Sequence, residues 1–203
     1  MGTLYVPESK KNTQNEGAVI VYEDEASFRQ TPTLHATWAK RGSQPQIPSR
    51  GEPHTQKIFG AVRLDDAGFI YLHQEEYFQW ETYLAFLDQV MMPTFYRRRH
   101  RVYLIQDNAS YHTKREAQEW FQSNQRYLKV FPLPRYWPEL NAQEGIWKYT
   151  RNHVTHNRFY ERPRDLCKAL FRRFDYVRQH PEEIAGLLRP FLRLMSNYLC
   201  API

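Results

Sequence analysis

The sequence of 203 residues contains only two cysteines, Cys167 and Cys200, and it lacks a long apolar run. Two cysteines are too few for a disulfide framework and argue against a structural zinc site. Without a run of about 18 apolar residues, no transmembrane helix is expected. The polar segment 1–17 also lacks the apolar core of a secretory signal. We therefore expect an intracellular protein.

The chain carries a formal net charge of +6 and has a pI near 9.3. A basic balance favours binding to phosphate backbones, because bound cations release counterions. Many soluble proteins are mildly basic, however, so charge alone leaves nucleic acid as one of two interpretations. The length fits one domain, and aromatic residues, at 15% of the chain, supply large surfaces for a core.

The hydrophobic periodicity predicts an alternation of strands and helices after a flexible lead-in over 1–17. A long polar loop over 29–56 follows the first strand. The predicted strands cover 18–22, 57–64, 69–74, 101–106 and 128–133, of which the second and third form a hairpin. The predicted helices cover 80–96, bent or ended near Pro93, then 114–123, capped by Thr113, and 140–153, 163–178 and 181–198. This order predicts an α/β fold, a mixed sheet with helices packed on it.

Three acidic residues stand next to apolar or aromatic runs. Asp24 follows the first predicted strand, Asp107 follows the apolar run 102–105, and Glu144 lies at the start of a predicted helix. A carboxylate at the end of a buried strand is costly unless its charge is used. Three of them brought together would form an oxygen-rich site for a hard cation such as Mg²⁺. Taken singly, each acid is equally open to interpretation as a turn residue, a helix cap or a solvated side chain.

Other acidic residues nearby are also candidates for the role of cation ligand. In a strand, Glu23 and Glu25 face away from Asp24, because successive side chains alternate between the two faces. Glu139 lies where a helix begins, and its charge suits the helix N-terminus. Strand phase and position therefore select Asp24, Asp107 and Glu144.

Four motifs then stand in a recognisable order. They are Val-Tyr-Glu-Asp-Glu-Ala over 21–26, Trp-Ala-Lys-Arg-Gly over 38–42, Asp-Asn-Ala-Ser-Tyr-His over 107–112 and Pro-Glu-Leu-Asn-Ala-Gln-Glu-Gly-Ile-Trp over 138–147. Together they resemble the DDE catalytic domain of transposases, in the bacterial insertion-sequence branch of the Tc/mariner superfamily. The resemblance covers roughly residues 18–160.

This resemblance implies a ribonuclease-H-like fold, a mixed five-stranded sheet flanked by helices. Residues 18–160 would form the catalytic domain, and 161–203 a helical extension packed on it. The resemblance assigns Asp24, Asp107 and Glu144 as catalytic metal ligands. They would hold two Mg²⁺ ions, for which Mn²⁺ can substitute, and support DNA cleavage at element ends and strand transfer into target DNA.

The resemblance also implies partners. They are DNA, as element ends and TA target sites, and a second copy of the chain in a synaptic complex, within the bacterial cytoplasm at the nucleoid. Full-length relatives carry N-terminal helix-turn-helix modules, which suggests a separate subunit or reading frame here. A split-gene product, a truncated copy and an isolated fragment all stay open. Two other functions stay open as well: a metal nuclease of this fold without joining activity, and a catalytically silent DNA-binding remnant.

Several residues are candidates for contacts to DNA. Trp38 and Arg41 lie in the loop that relatives use to contact a partner subunit or DNA. His112 could orient a phosphate, a water or a carboxylate, or cap the next helix. The remaining candidates are the basic run Arg97, Arg98 and Arg99, with a solvated helix end as its alternative, and Lys148 and Arg151 beyond Glu144. Trp147 is predicted to belong to the core.

Overall fold

The computed structural model describes residues 18–49, 54–75, 77–96, 100–134 and 137–197. The predicted lead-in over 1–17 and the basic run Arg97 to Arg99 lie outside these residues. The described part forms one sheet of five strands in the order β3-β2-β1-β4-β5. The strands are β1 (Val19–Arg29), β2 (Thr55–Arg63), β3 (Phe69–Gln74), β4 (Val102–Gln106) and β5 (Leu128–Pro132). Strands β1, β4 and β5 are parallel to one another, and β2 is antiparallel to β1 and β3. This confirms the predicted mixed five-stranded sheet.

Strand β1 is longer than its apolar run. It pairs with β4 only over Val19 to Tyr22, but it pairs with β2 from Val21 to Arg29. The prediction of a strand that ends at residue 22 was wrong, because the antiparallel partner extends the strand through a polar stretch. Asp24 is therefore inside β1, two residues beyond its last pairing with β4.

Helices cover both faces of the sheet. They are α1 (Trp80–Phe86), a π-helical turn (Leu87–Met91), α2 (Met92–Phe95), α3 (Arg115–Ser123), a 3₁₀ turn (Pro138–Leu140), α4 (Ala142–Val154), α5 (Pro163–Gln179) and α6 (Glu182–Asn197). Pro93 lies in the first turn of α2, which directly follows the π-helical turn and ends at Phe95, so the helix ends near Pro93, one of the two predicted outcomes. The predicted cap at Thr113 was wrong. The N-cap of α3 is Lys114, and the Thr113 hydroxyl donates instead to the Ser110 carbonyl at 3.0 Å.

Two apolar clusters lie on opposite faces of the sheet. On one face, Tyr22, Ala26 and Phe28 of β1 pack with buried residues of α4, α5 and α6. On the other, Val19 and Val21 pack with α1 and the π-helical turn. The C-terminal helices are therefore part of the main core, because their buried residues belong to this cluster. Burying one large apolar side chain there contributes about 1.5–3 kcal/mol. The alternation of β1 also sends Asp24 toward α4, and Glu23 and Glu25 toward α1, as the strand phase predicted.

The long loop between β1 and β2 is anchored at its start and exposed beyond it. Thr33 forms an isolated bridge with His156, and the Asn157 side chain accepts a hydrogen bond from the His35 backbone at 2.8 Å. Further along, Trp38 is fully exposed. Among the helices that the structure describes, none is long and apolar enough to cross a membrane.

Candidate active site

The three predicted acids share one cavity. Asp24 comes from β1, Asp107 from the loop that directly follows β4, and Glu144 from the first turn of α4. All three line a cavity of about 650 Å³, together with Asn108 and Asn141. Burial, followed by repulsion from Glu25, Glu144 and Asp107, raises the pKa of Asp24 to about 8. The fold therefore brings Asp107 and Glu144 close enough to Asp24 for both to raise its pKa.

Asp24 is held by a tryptophan. Its side chain is 8% exposed, and the Trp147 indole Nε1 donates to its Oδ2 at 3.0 Å. Trp147 is fully buried, which confirms its predicted place in the core, but its hydrogen bond to Asp24 was missed. The spacing offered a sign, because Trp147 is three residues after Glu144 and thus lies near it on one helix face.

A glycine makes room for this tryptophan. Gly60 of β2 is the register partner of Asp24 on β1. A Cβ atom at Gly60 would lie 2.3 Å from Cη2 of Trp147 and 2.8 Å from Nε2 of Gln143. The indole can thus reach Asp24 only because residue 60 has no side chain.

Asp107 is held by its own loop. Its Oδ1 accepts the Ala109 backbone N–H at 2.8 Å and lies 3.2 Å from Nδ1 of His112. The hydrogen bond with His112 is the main reason that the pKa of Asp107 is lowered. The Asn108 amide donates to the Leu133 carbonyl, which ties this loop to the end of β5. These bonds fix the direction of the Asp107 carboxylate.

His112 is almost fully buried. Its side chain is only 2% exposed, and its predicted contact with DNA stays a prediction. Nε2 of the ring lies 3.2 Å from Oε1 of Glu25. Burial disfavours the charged ring, but hydrogen bonds to Asp107 and Glu25 outweigh it and raise the pKa of His112 to about 10. The histidine is therefore placed to orient a carboxylate, which was one of the roles considered from the sequence.

Glu144 is positioned by the start of α4. The Asn141 side chain caps the helix by accepting the Gln143 backbone N–H at 3.1 Å. The Asn141 amide also points toward the Glu23 carbonyl of β1, at 3.5 Å. The first turn of α4, and Glu144 with it, is thereby fixed next to β1.

The cavity fits a divalent cation by its chemistry. Its three ionisable donors are carboxylates, and amide groups of Asn108 and Asn141 stand beside them. Hard cations such as Mg²⁺ prefer such oxygen donors, and a cation would relieve the repulsion that raises the pKa of Asp24.

A tighter set of potential ligands lies elsewhere. Atoms of Glu23, Glu25 and His112 all lie within 4.8 Å of one another.

That second cluster is on the α1 side of β1. Glu23 is fully buried, and neither of its carboxylate oxygens has a hydrogen-bond partner among the described residues. Burial, with repulsion from Glu25 next, raises the pKa of Glu23 well above its ordinary value. By contrast, Asp24, Asp107 and Glu144 surround the wider cavity described above, which is open to a large substrate.

The candidates for DNA contacts occupy different surroundings. Trp38, Arg41 and Lys148 are exposed. Arg151 is half-buried, with its guanidinium 5.5 Å from the centre of the Phe28 ring. Contact of these residues with DNA stays a prediction.

Known proteins resemble the chain in both sequence and fold. The 39 kDa protein of insertion element IS630 from Shigella sonnei is 24% identical over 166 residues, which are 82% of this chain and 45% of that protein. The chain thus spans about half the length of this curated relative.

Two solved structures show the fold. A pre-cleavage Mos1 transpososome aligns with a TM-score of 0.59 and 18% identity, over 90% of this chain and 57% of that one. The catalytic domain of Mos1 mariner transposase aligns with a TM-score of 0.52 and 14% identity, over 88% of this chain and 84% of that one. The expected ribonuclease-H-like architecture is confirmed by these likenesses.

The family follows from the sequence itself. The profile described as DDE superfamily endonuclease matches residues 19–167. That span includes all four motifs and the three acids that the fold gathers around one cavity. The resemblance drawn from the motifs is therefore confirmed, and the chain belongs to the DDE superfamily endonucleases.

Proposed function

We propose that this chain is the catalytic domain of a transposase that cuts DNA at element ends and joins the ends to target DNA. One observation carries the proposal. Asp24, Asp107 and Glu144, from three separate segments, line one open cavity in a member of the DDE endonuclease family. The relatives with similar folds include a Mos1 paired-end complex and a strand transfer complex.

The proposed chemistry needs no covalent enzyme intermediate. Two Mg²⁺ ions held by the three carboxylates, or Mn²⁺ in their place, would lower the pKa of the attacking water or 3′-hydroxyl and stabilise the leaving oxygen. The chain itself supplies fixed carboxylates. Trp147 holds Asp24, Ala109 and His112 hold Asp107, and the rigid first turn of α4 holds Glu144. Such preorganisation is what a two-ion site requires.

The proposed partners are DNA and a second copy of the chain. Lys148 is exposed one helical turn beyond Glu144, where a phosphate could meet it. The exposed loop with Trp38 and Arg41 is the segment that we assign to contacts with a partner subunit or DNA. TA target sites, end recognition by a helix-turn-helix unit, and a location at the bacterial nucleoid complete the proposal.

A strand-transfer reaction tests the function. The purified chain is mixed with a duplex that ends in a free 3′-hydroxyl, a supercoiled plasmid target and Mg²⁺ or Mn²⁺. We expect joined product, and we expect Asp24→Asn, Asp107→Asn and Glu144→Gln each to abolish it. Asp88→Asn and Glu119→Gln serve as controls, because both residues are exposed on helical surfaces outside the cavity.

The outcomes separate the alternatives. Nicked or cut plasmid without joined product would support a metal nuclease that does not join ends. If neither product forms and Mn²⁺ does not bind, the chain is a catalytically silent remnant and the proposal is wrong. Loss of activity in the control variants as well would show that the three acids have no special role.

A further inference from the structure

We propose that His112 is a positioning residue, held by Glu25, that fixes the Asp107 carboxylate in the orientation needed to bind metal. The inference rests on the proposed function of Asp107 and adds two residues to that site. Neither His112 nor Glu25 lines the cavity that the three acids share. Both would act through Asp107 and would not touch the substrate.

The geometry links two segments through one ring. Nδ1 of His112 lies 3.2 Å from Oδ1 of Asp107, and Nε2 lies 3.2 Å from Oε1 of Glu25. Each ring nitrogen thus faces a carboxylate oxygen and can donate a hydrogen bond to it. The imidazole connects a residue of β1 to a residue of the loop after β4.

The His112 bridge lies just beyond the point where the backbone pairing of β1 with β4 ends. The parallel pairing of β1 with β4 ends at Tyr22 and Ile105. Asp107 is two residues further along, with a side chain that is 51% exposed. Beyond the ladder, backbone hydrogen bonds no longer hold the two strands in register, and the His112 bridge takes over that role.

The imidazole is itself fixed by packing. It is 2% exposed, and its centre lies 4.3 Å from that of the Tyr83 ring and 4.6 Å from that of the Tyr111 ring. The Gln118 side chain donates to the His112 carbonyl at 2.9 Å. A ring confined in this way can impose its orientation on an exposed partner.

The bond pattern on Asp107 shows what the positioning achieves. Among the described residues, the two groups that bond its carboxylate, the Ala109 N–H and the His112 ring, both meet Oδ1. Neither of these two groups meets the other oxygen, Oδ2, which stays available to a metal ion. Orienting partners of this kind, when mutated, typically change metal affinity or activity by about 10- to 100-fold.

Two substitutions separate the two contacts of the ring. The amide nitrogen of an asparagine takes the place of Nδ1 and that of a glutamine takes the place of Nε2. His112→Asn therefore keeps a donor for Asp107, and His112→Gln keeps one for Glu25. Glu25→Gln keeps the shape of the second partner but removes its charge.

Mn²⁺ binding gives a readout that does not depend on turnover. The free Mn²⁺ signal in electron paramagnetic resonance yields a dissociation constant for the full chain, and the strand-transfer reaction gives activity. For His112→Gln we expect the dissociation constant to rise by about 10- to 100-fold. We expect a smaller rise for Glu25→Gln, and the smallest for His112→Asn. His180→Gln, at the C-cap of α5, and Glu119→Gln should match the parent chain.

Each result decides the matter. Parent-like Mn²⁺ affinity in His112→Gln, or equal losses in the glutamine and asparagine variants, would overturn the inference. If both His112 variants fail to fold, as thermal unfolding would show, a parent-like Glu25→Gln would overturn it instead. Asp107→Asn tells the two proposals apart. If Asp107→Asn binds Mn²⁺ and joins DNA as the parent chain does, the proposed function of Asp107 is wrong. If Asp107→Asn loses both properties while His112→Gln keeps them, the proposed function stands and only the role of His112 is removed.

Discussion

Trp147 donates its indole N–H to Asp24 across the interface between α4 and β1, with Nε1 3.0 Å from Oδ2. The same helix carries Glu144 one turn earlier, so a single element supplies one acid and orients another. On the opposite face of the sheet, His112 orients Asp107. The two aspartates of the candidate site are therefore held from opposite sides of β1.

Replacing Trp147 by phenylalanine should weaken the site more than the fold. The change keeps an aromatic ring in the core but removes the N–H that fixes Asp24. We expect metal-dependent strand transfer to fall by about 10- to 100-fold, with a higher Mn²⁺ concentration at half-maximal rate. Trp120→Phe, on α3, is the matched control. An unchanged metal requirement in Trp147→Phe would show that the hydrogen bond does not orient Asp24.

Gly60→Ala should disturb the same contact from the other side. The new methyl group would lie 2.3 Å from Cη2 and 2.7 Å from Cζ2 of Trp147, so the indole must move. Overpacking of this kind costs about 1–3 kcal/mol, and we expect a matching loss in the free energy of unfolding together with weaker strand transfer. Urea unfolding measures the free energy of unfolding.

Gly186→Ala provides a control of opposite sign. Gly186 lies within α6, and a Cβ atom there would meet nothing within 4 Å. Replacing a helical glycine by alanine should stabilise the protein by about 0.5–1 kcal/mol. If both alanine variants changed stability alike, the close approach of Trp147 to Gly60 would not explain the effect.

The sequence singles out the three acids because each stands beside an apolar run or opens a helix, and the fold brings them to one cavity, while their role as metal ligands stays a prediction. It also predicts the alternation that separates Asp24 from Glu23 and Glu25. It does not predict the full length of β1, because residues 23–29 are mostly polar and their strand conformation comes from pairing with β2. Local pattern cannot reveal these partners, which range from Ala61, paired with Glu23, to Thr55, paired with Arg29, and lie far along the chain.

The contacts of the two orienting residues escaped prediction for a related reason, although orienting a carboxylate was one of the roles considered for His112. Trp147 looks like a core residue and is one, but its N–H finds Asp24 only because Gly60 is the register partner of that aspartate. His112 looks like a surface residue of a polar turn, and it is buried by the rings of Tyr83 and Tyr111. Both roles depend on which segments the fold brings together.

The stability of the metal-free protein should fall as pH rises from about 4 to about 8. Burial, with repulsion from the neighbouring acids, raises the pKa of Asp24 from 3.8 to about 8. In that window the folded protein keeps a proton that the unfolded chain has lost, so rising pH favours unfolding. The raised pKa of His112, about 10 against an ordinary 6.5, acts in the same direction above pH 6.5.

Thermal unfolding between pH 4 and pH 8 measures this effect. Asp24→Asn should make the dependence shallower, since the amide does not titrate, but Glu23 and His112, whose pKa values are also raised, keep part of it. Asp88→Asn should leave the dependence unchanged. Added Mg²⁺ should raise the melting temperature of the parent chain more at pH 8 than at pH 5, because the cation needs the ionised carboxylate. If the melting temperature of the metal-free protein rose steadily toward pH 8, the result would contradict the raised pKa that burial and repulsion from the other acids give Asp24.

Lys148 offers a test of the path of DNA past the site. Its side chain is exposed one turn beyond Glu144 on α4, so an ammonium group there can meet a phosphate near the reacting strand. Lys148→Ala should weaken DNA binding about equally for all sequences and reduce the slope of log affinity against log salt by about 1. Fluorescence anisotropy at several salt concentrations measures both quantities. Lys168→Ala removes an equally exposed lysine from α5 and should change neither. An equal change in slope for both variants would point to a diffuse effect of net charge, because only a local phosphate contact distinguishes the two positions.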